Sequence, residues 1–328
     1  YKQITNWLTS LFHLMPFQVG EVIAQRASVS FVIALIEILP ALLSGTPLVF
    51  VSESLNKNPE AFIKACCDWQ VSRLYLVPSH LEAIMNSVSS QCSQLTCLKH
   101  LSIAGEPFTE TLMAKVRLNL PDVTIWHNYG NTELAHVAYY RSPNQYDCEN
   151  TDNDAYVPIG AAIEHTRIFV LDERLDSVEP GNIGELCVDS IGLPRGYWQA
   201  PGLTAERFIA NPYSRRPGAL MYRTGDLVKR LANGNLEYVG RQDFEIKIRG
   251  YRIDIRHIEA LATSYPNVSK AVVVPWPKTP PVKHLFLYLT LSGDELFSIE
   301  HLRLYLQQQL PPHLQPTFIY VLDTFPTM

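Results

Sequence analysis

Between residues 44 and 127 short apolar runs alternate with amphipathic helical patterns, and this constrains the fold more than any other feature of the chain. Leu48 to Val51, Arg73 to Val77, Leu101 to Ala104 and Val123 to Trp126 read as strands. Pro59 to Trp69, His80 to Ser87 and Thr109 to Leu118 read as helices between them. Pro59 suits a first helical turn, and Phe62, Cys66 and Trp69 recur on one face. Such alternation predicts an α/β fold with a mainly parallel, helix-covered sheet. Ligands of these sheets bind beyond the carboxyl ends of strands. Ala104-Gly105-Glu106 and the run His127 to Glu133 both fall there.

The pattern changes after about residue 156. Thr166 to Leu171, Glu185 to Val188 and Leu236 to Val239 read as strands separated by Gly, Pro and Asn turns, among them Asn233-Gly234. This predicts an antiparallel β-subdomain. After Asp243 follows a small α+β unit with a basic hairpin (Glu245 to Ile253), a helix (Ile255 to Ser264), strands at Ala271 to Val274 and Leu285 to Leu291, a helix (Ile299 to Gln308) and a last strand (Phe318 to Leu322). The boundary is expected at Gln242 to Phe244, giving a large domain over 1–242 and a small one over 243–328.

Composition excludes several classes. The chain of 328 residues is 47% apolar and 18% charged, with 27 basic and 32 acidic residues for a net charge of −5. It has no basic block to neutralise phosphates along a duplex, so nucleic acid is not an expected partner. Phe31 to Leu43 is apolar but holds Glu37 and Pro40, and it is shorter than the roughly 20 residues that span a bilayer. It reads as a buried helix, with no membrane partner. The cysteines at 66, 67, 92, 97, 148 and 187 form no CxxC pair and read as reduced thiols of a cytoplasmic protein. The chain opens on a helical face of Ile4, Trp7, Leu8, Leu11, Phe12 and Met15, without a visible signal peptide, and stops without a polar tail. It reads as a fragment of a longer polypeptide.

Three motifs carry chemistry: Asn128-Tyr129-Gly130-Asn131-Thr132-Glu133, then Tyr222-Arg223-Thr224-Gly225-Asp226-Leu227, then the run Gly240 to Asp254. With Gly184-Glu185-Leu186, Arg195-Gly196-Tyr197 and Leu203 to Phe208, they resemble the adenylation domains of nonribosomal peptide synthetases, within the acyl- and aryl-CoA synthetase and luciferase superfamily. The resemblance runs along essentially the whole chain. It implies ATP-dependent activation of a small carboxylic acid as an acyl-adenylate with release of pyrophosphate. Transfer to the phosphopantetheine thiol of a peptidyl carrier domain would follow, beside neighbouring synthetase domains. ATP and Mg²⁺ are the implied cofactors. Two alternatives stand beside this reading: a free-standing acyl- or aryl-CoA ligase, and a catalytically inactive adenylation-like docking module. The Leu-Thr-Ala-Glu-Arg-Phe run favours the synthetase type.

Carried onto this chain, the resemblance gives Tyr129 a flat ring for the adenine face and Gly130 a tight turn. Thr132 offers its hydroxyl to the α-phosphate and Glu133 a hard oxygen ligand to Mg²⁺, so these two are the candidate catalytic residues. Asn128, Gly105 and Glu106 join the nucleotide site, the last two through backbone groups along the adenine edge. A carboxylate suits a vicinal diol, so Asp226 would grip the ribose, with Arg241 as a second contact. Asn131 stands where the family usually has Pro. Asp243 occupies the family's hinge, where one residue absorbs a large φ/ψ change. Lys247, Arg249 and Arg252 with Gly250 read either as a phosphopantetheine tunnel or as a solvated hairpin. The family's phosphate loop is expected shortly before Tyr1 and its terminal lysine shortly after Met328. The 328 residues alone are therefore expected to be inactive, with truncation and evolutionary loss both open.

In amino-acid-activating relatives a Phe-Asp pair places a carboxylate against the substrate's α-ammonium. Here the pair reads Phe31-Val32. The other pocket positions are Ile33, Ile36, Tyr75, Ser102, Ala104, Asn128, His136 and Val137. An apolar floor of Ile33, Ile36 and Val137 with Val32 at the acidic position predicts an acid without an α-amino group: an α-keto, α-hydroxy, aryl or alkyl acid. Glu37, one helical turn on, is the carboxylate that would overturn this by reaching in.

Overall fold

The computed structural model describes residues 2–143, 155–242, 245–248, 250–277, 282, 284–292 and 297–325. It divides into two compact units, 1–242 and 243–328.

The first unit opens with α1 (Lys2–Leu14), β1 (Ile23–Gln25), α2 (Val32–Ser44), β2 (Leu48–Phe50), α3 (Glu53–Asn56), α4 (Pro59–Asp68), β3 (Arg73–Leu76), α5 (Pro78–Cys92), β4 (His100–Ala104) and α6 (Glu110–Asn119). Then come β5 (Thr124–Asn131), β6 (Ala135–Arg141) and β7 (Ala161–Ala162). These strands form one sheet in the order β2-β1-β3-β4-β5-β6-β7, parallel as far as β5 and antiparallel beyond it. Asn58 and Thr109 cap α4 and α6 by accepting the amides of Ala61 and Leu112, so polar residues set where those helices begin.

Strand register sorts the two faces of this sheet. Tyr75 lies opposite Ser102, Ser102 opposite Trp126, Ala104 opposite Asn128, and Asn128 opposite Tyr139. Side chains alternate along a strand, so these residues share one face. The intervening residues Leu74, Leu76, Leu101, Ile103 and Ile125 take the other face, packing with Phe62 and Ile63 of α4, Leu81 and Ile84 of α5, and Leu112 and Val116 of α6. Each such side chain contributes roughly 1.5–3 kcal/mol on burial. The α4–α6 face is thus a dry core, and the chemistry-bearing positions fall on the opposite face.

The rest of the first unit is β8 (Thr166–Leu171), β9 (Ile183–Ser190), α7 (Pro201–Arg207), β10 (Phe208–Ala210), β11 (Leu220–Arg230) and β12 (Leu236–Arg241). They form an antiparallel sheet ordered β10-β11-β9-β8, with β12 on β11. Its core of Leu186, Val188, Phe208, Tyr222, Val228 and Leu236 is continuous with Tyr129, Leu134 and Ala138 from the β5–β6 hairpin. That hairpin is where the two sheets meet.

The second unit holds β13 (Glu245–Ile248), β14 (Tyr251–Asp254), α8 (Ile255–Thr263), β15 (Val268–Trp276), β16 (His284–Leu291), α9 (Ile299–Gln309) and β17 (Phe318–Val321). Asp254 and Ser298 cap its two helices. Ile253, Ile258, Leu287, Leu289 and Leu302 centre a separate core. Arg252 donates to Glu245 at 2.7 Å across the β13–β14 hairpin. Asp243 and Arg249 lie outside the described residues, as does Cys148.

Several expectations need correction. α5 runs from Pro78 to Cys92, longer than His80 to Ser87, and passes a non-helical Val88 at φ −141°. The serines around that point have modest helix propensity, which masks the continuation. Ile4 of α1 is exposed, and so are Leu35, Leu42 and Leu43 of α2, because only one face of each helix meets the sheet. β1, β10 and α3, of three or four residues each, are too short to leave a periodic signal. Among the described residues no helix is long and apolar enough to cross a membrane. Cys66, Cys67, Cys92, Cys97 and Cys187 are free thiols.

Candidate functional site

The Asn128–Glu133 motif does not lie wholly beyond a strand. β5 continues through Asn131, and the tight turn is Thr132 to Leu134. Gly130 is therefore needed for close approach rather than for the turn itself. A Cβ there would sit 1.7 Å from the carbonyl oxygen of Ala135 on β6. The turn is held by Asn131, whose Oδ1 accepts the amide of Leu134 at 2.9 Å. A side-chain hydrogen bond thus does here what a proline ring does by covalent restraint. Thr132 is exposed at the tip and Glu133 is half-buried. Glu133 Oε1 accepts the hydroxyl of Tyr197 at 2.6 Å, and its carbonyl accepts Gln3 Nε2 at 2.7 Å. Tyr197 is in turn anchored through its amide on Thr204 Oγ1 at 2.9 Å. The segments around Arg195 and Leu203 thereby converge on Glu133, a role for Tyr197 that the motif alone did not announce.

Asp226 sits within β11, where the register with β9 shifts between Arg223 and Leu227. Glu185 fastens this irregular stretch by accepting Arg223 Nε at 2.9 Å and the Gly225 amide at 3.1 Å. Asp226 is directly opposite Arg241 on β12, and its Oδ1 accepts Arg241 Nη1 at 2.6 Å. Its Oδ2 accepts the hydroxyl of Tyr129. Tyr129, Asp226 and Arg241 therefore form one buried cluster spanning both sheets. Burial, then the charge of Asp226, holds the Tyr129 phenol well above its ordinary pKa, so it remains a donor. The Tyr129 ring is only 5% exposed and packs in the second core, so it is not the open platform expected for an adenine face.

Gly105 has φ +92°, the left-handed region that favours glycine, just past β4. The Glu106 side chain accepts the amide and hydroxyl of Ser79 at 2.8 and 3.2 Å, so it caps the first turn of α5. That leaves the backbone of 104–106 as the part suited to a ligand.

Most of the residues expected to line the acid pocket gather on the opposite sheet face. Val32, Ile33 and Ile36 of α2 meet Tyr75 in one cluster. Trp7, Leu11 and Met15 of α1, with Trp126 and Tyr139 of the sheet, complete it; the pocket positions carried over by resemblance did not include them. Strand alternation would have found Trp126, two residues before Asn128, and the amphipathic stripe of α1 would have found Trp7. Phe31 precedes α2 as a half-buried N-cap residue without a capping side-chain bond. Ser102 hydrogen-bonds Tyr75 and lies 4.0 Å from Met15 Sδ. Val137 is placed differently: it packs with Leu134 and Ile159 in the core of the antiparallel sheet. Asn128, only 1% exposed, has neither Oδ1 nor Nδ2 hydrogen-bonded. An unpartnered buried amide costs about 1–3 kcal/mol, which sets Asn128 apart from its hydrogen-bonded neighbours. Burial lowers His136 to a pKa of about 3, so its ring is neutral.

Glu37 is fully buried, but its Oε2 turns to the amides of Arg26 and Ala27 at 3.1 and 3.0 Å. It pins the loop after β1. Arg26 continues the brace, donating to Asn56 Oδ1 at 2.9 Å and to the Tyr75 carbonyl at 3.2 Å. Arg73 anchors the end of α1 by donating to the carbonyls of Met15 and Pro16 at 3.1 and 2.6 Å while paired with buried Glu21. Among the described residues no group of three His, Cys, Asp or Glu forms a metal cage. Mg²⁺ that arrives on phosphate oxygens needs only one or two carboxylates, which Glu133 fits.

Residues 2–198 match the family of AMP-binding enzymes. The chain belongs to that family, and within it is of the adenylation-domain type of nonribosomal peptide synthetases. It is 33% identical over 285 residues to tyrocidine synthase 2 of Brevibacillus parabrevis, covering 87% of this chain and 8% of that protein. Its fold is similar to the crystal structure of IdnL1, with a TM-score of 0.89, 26% identity, and 99% of this chain against 65% of that one. It is also similar to NpsA-ThdA, an artificially fused adenylation-PCP di-domain from Klebsiella oxytoca, with a TM-score of 0.80, 25% identity, and 96% of this chain against 57% of that one. The adenylation domain thus spans under a tenth of that curated synthetase and roughly three-fifths of these solved relatives.

Proposed function

We propose that this adenylation domain uses ATP to activate a carboxylic acid lacking an α-amino group, and then passes the acyl group to the phosphopantetheine thiol of a carrier domain. One observation carries the substrate half. Val32 packs with Ile33, Ile36 and Tyr75, while Glu37, the sole acidic side chain of α2, is turned to the amides of Arg26 and Ala27. A substrate ammonium at this helix end would be desolvated without a partner, at several kcal/mol. Thr132 at the exposed hairpin tip and Glu133 beside it suit contacts to phosphate and to Mg²⁺. Asp226 and Arg241 suit the ribose. The likeness to an adenylation-PCP di-domain supports a peptidyl carrier domain as partner. The pivot between half-reactions is assigned to Asp243 on the motif resemblance alone.

The test is acid-dependent pyrophosphate exchange in the complete protein, using keto, hydroxy and amino acids that share one side chain. The keto or hydroxy acid is expected to exceed the amino acid by at least ~100-fold in kcat/KM, because an unpaired buried charge costs roughly 3 kcal/mol or more. Val32→Asp should narrow or reverse that preference. An amino acid that wins with the wild-type protein overturns the reading.

A further inference from the structure

Trp7, Tyr139 and His136 form a hydrogen-bonded chain at the edge of the acid pocket. Trp7 Nε1 lies 2.9 Å from the Tyr139 hydroxyl oxygen. An indole nitrogen only donates, so Tyr139 accepts this bond. His136 Nδ1 lies 2.9 Å from the same oxygen. Tyr139 keeps one hydrogen to donate, and the arrangement that uses it sends it to Nδ1, which is then the bare nitrogen of the ring. The ring is neutral because it is buried, so in this arrangement its one proton is on Nε2. Beside this chain, in register with Tyr139, lies Asn128 with its unpartnered amide.

We propose that Tyr139, held by Trp7, is a positioning residue that fixes His136 with its proton on Nε2, making this corner of the pocket a hydrogen-bond donor that selects acids bearing an acceptor oxygen there. Trp7, which can only donate, makes Tyr139 the acceptor of the first bond and leaves its hydrogen for the second. With Trp7 donating to its oxygen, Tyr139 can give its hydrogen to His136 Nδ1 at 2.9 Å, and the imidazole is then oriented before any ligand arrives. An acceptor oxygen on the substrate would gain a bond from Nε2–H that a methylene at that point forgoes. The unpartnered Asn128 amide adds to the penalty on an apolar substituent. The substrate half of this proposal rests on the reading of this face as the acid pocket; the tautomer half does not.

Two measurements test it. Nitrogen-15 spectra of the imidazole in the complete protein report which nitrogen bears the proton. The wild type is expected to show protonated Nε2 and a hydrogen-bonded, unprotonated Nδ1. Tyr139→Phe should remove the hydrogen-bond signature of Nδ1, and Trp7→Phe, which leaves Tyr139 free to rotate, should weaken it. A proton on Nδ1 in the wild type, or an Nδ1 resonance unmoved by Tyr139→Phe, overturns the positioning role. The second measurement is pyrophosphate exchange with paired acids that differ only by an oxygen in place of a methylene. The wild type should favour the oxygen-bearing acid by at least ~10-fold in kcat/KM, and Tyr139→Phe should bring the ratio towards one. A ratio that Tyr139→Phe leaves unchanged overturns the selectivity role. Failure of every acid to support exchange would count against the proposed function, while the nitrogen spectra would still decide the positioning role.

Discussion

Glu37 illustrates how a residue's type and its placement answer different questions. In the sequence it is a carboxylate one helical turn from the substrate position, a plausible partner for an ammonium. In the fold it is sealed, with one oxygen on two backbone amides and the other, Oε1, without a hydrogen-bond partner. Burial pushes its pKa up from 4.5 to about 7, against the opposing pull of the Ala27 amide and Arg26. The native state therefore binds this proton more tightly than the unfolded chain. Its contribution to stability is present at low pH and is lost as pH rises towards about 7. Glu37→Gln removes the titration. The stability difference between variant and wild type should move in the variant's favour from pH 5 to pH 8, by up to about 3 kcal/mol. Thermal unfolding across that range reads it, and a pH-independent difference would show that Glu37 titrates alike in both states. The motif residues Asn128, Glu133, Asp226 and Arg241 were all legible as types. Their partners were not: nothing local pairs Asp226 with Tyr129, since the two are 97 positions apart.

At the scale of elements, the β5–β6 hairpin governs the site. It carries Thr132 and Glu133 at its tip, Asn128 and Tyr139 on its pocket face, and Tyr129 in the core shared by both sheets. Gly130 lets its two strands approach. Gly130→Ala would place a methyl 1.7 Å from the Ala135 oxygen, a backbone atom that cannot turn aside. The hairpin must open, with an expected loss of about 2 kcal/mol or more, and Thr132 and Glu133 would be displaced with it. A lowered Tm together with loss of pyrophosphate exchange checks this; a variant as stable as the wild type would show that the strands part without cost. The sequence marked this glycine as special but assigned it to the turn, because a glycine's need for space depends on a neighbour that only pairing supplies. The long β11 was likewise hidden, since Thr224-Gly225-Asp226 carries turn residues, and only the pairing of the flanking residues with β9 and of Asp226 with β12 makes one strand of them.

At the scale of the whole molecule, the two units have separate cores. Residues 243–328 carry their own buried cluster around Leu287, Leu289 and Leu302, with two capped helices against a three-stranded sheet. A unit of this size with its own core is expected to fold alone. Expressed by itself, it should show a single cooperative thermal transition by circular dichroism, and a non-cooperative melt would mean that its core depends on the first unit. What the sequence by itself determined was the class of fold, the order of most elements and the chemical identity of the motif residues. Those follow from periodicity, capping and side-chain chemistry, which are local. Only the tertiary structure decided that Glu37 braces a loop, that Glu106 caps a helix, that Val137 belongs to a different core, and that Trp7 and Tyr139 reach His136. Each of these depends on which distant strand or helix comes to lie alongside. Register and packing fix that through long-range burial, and no short window of residues contains it.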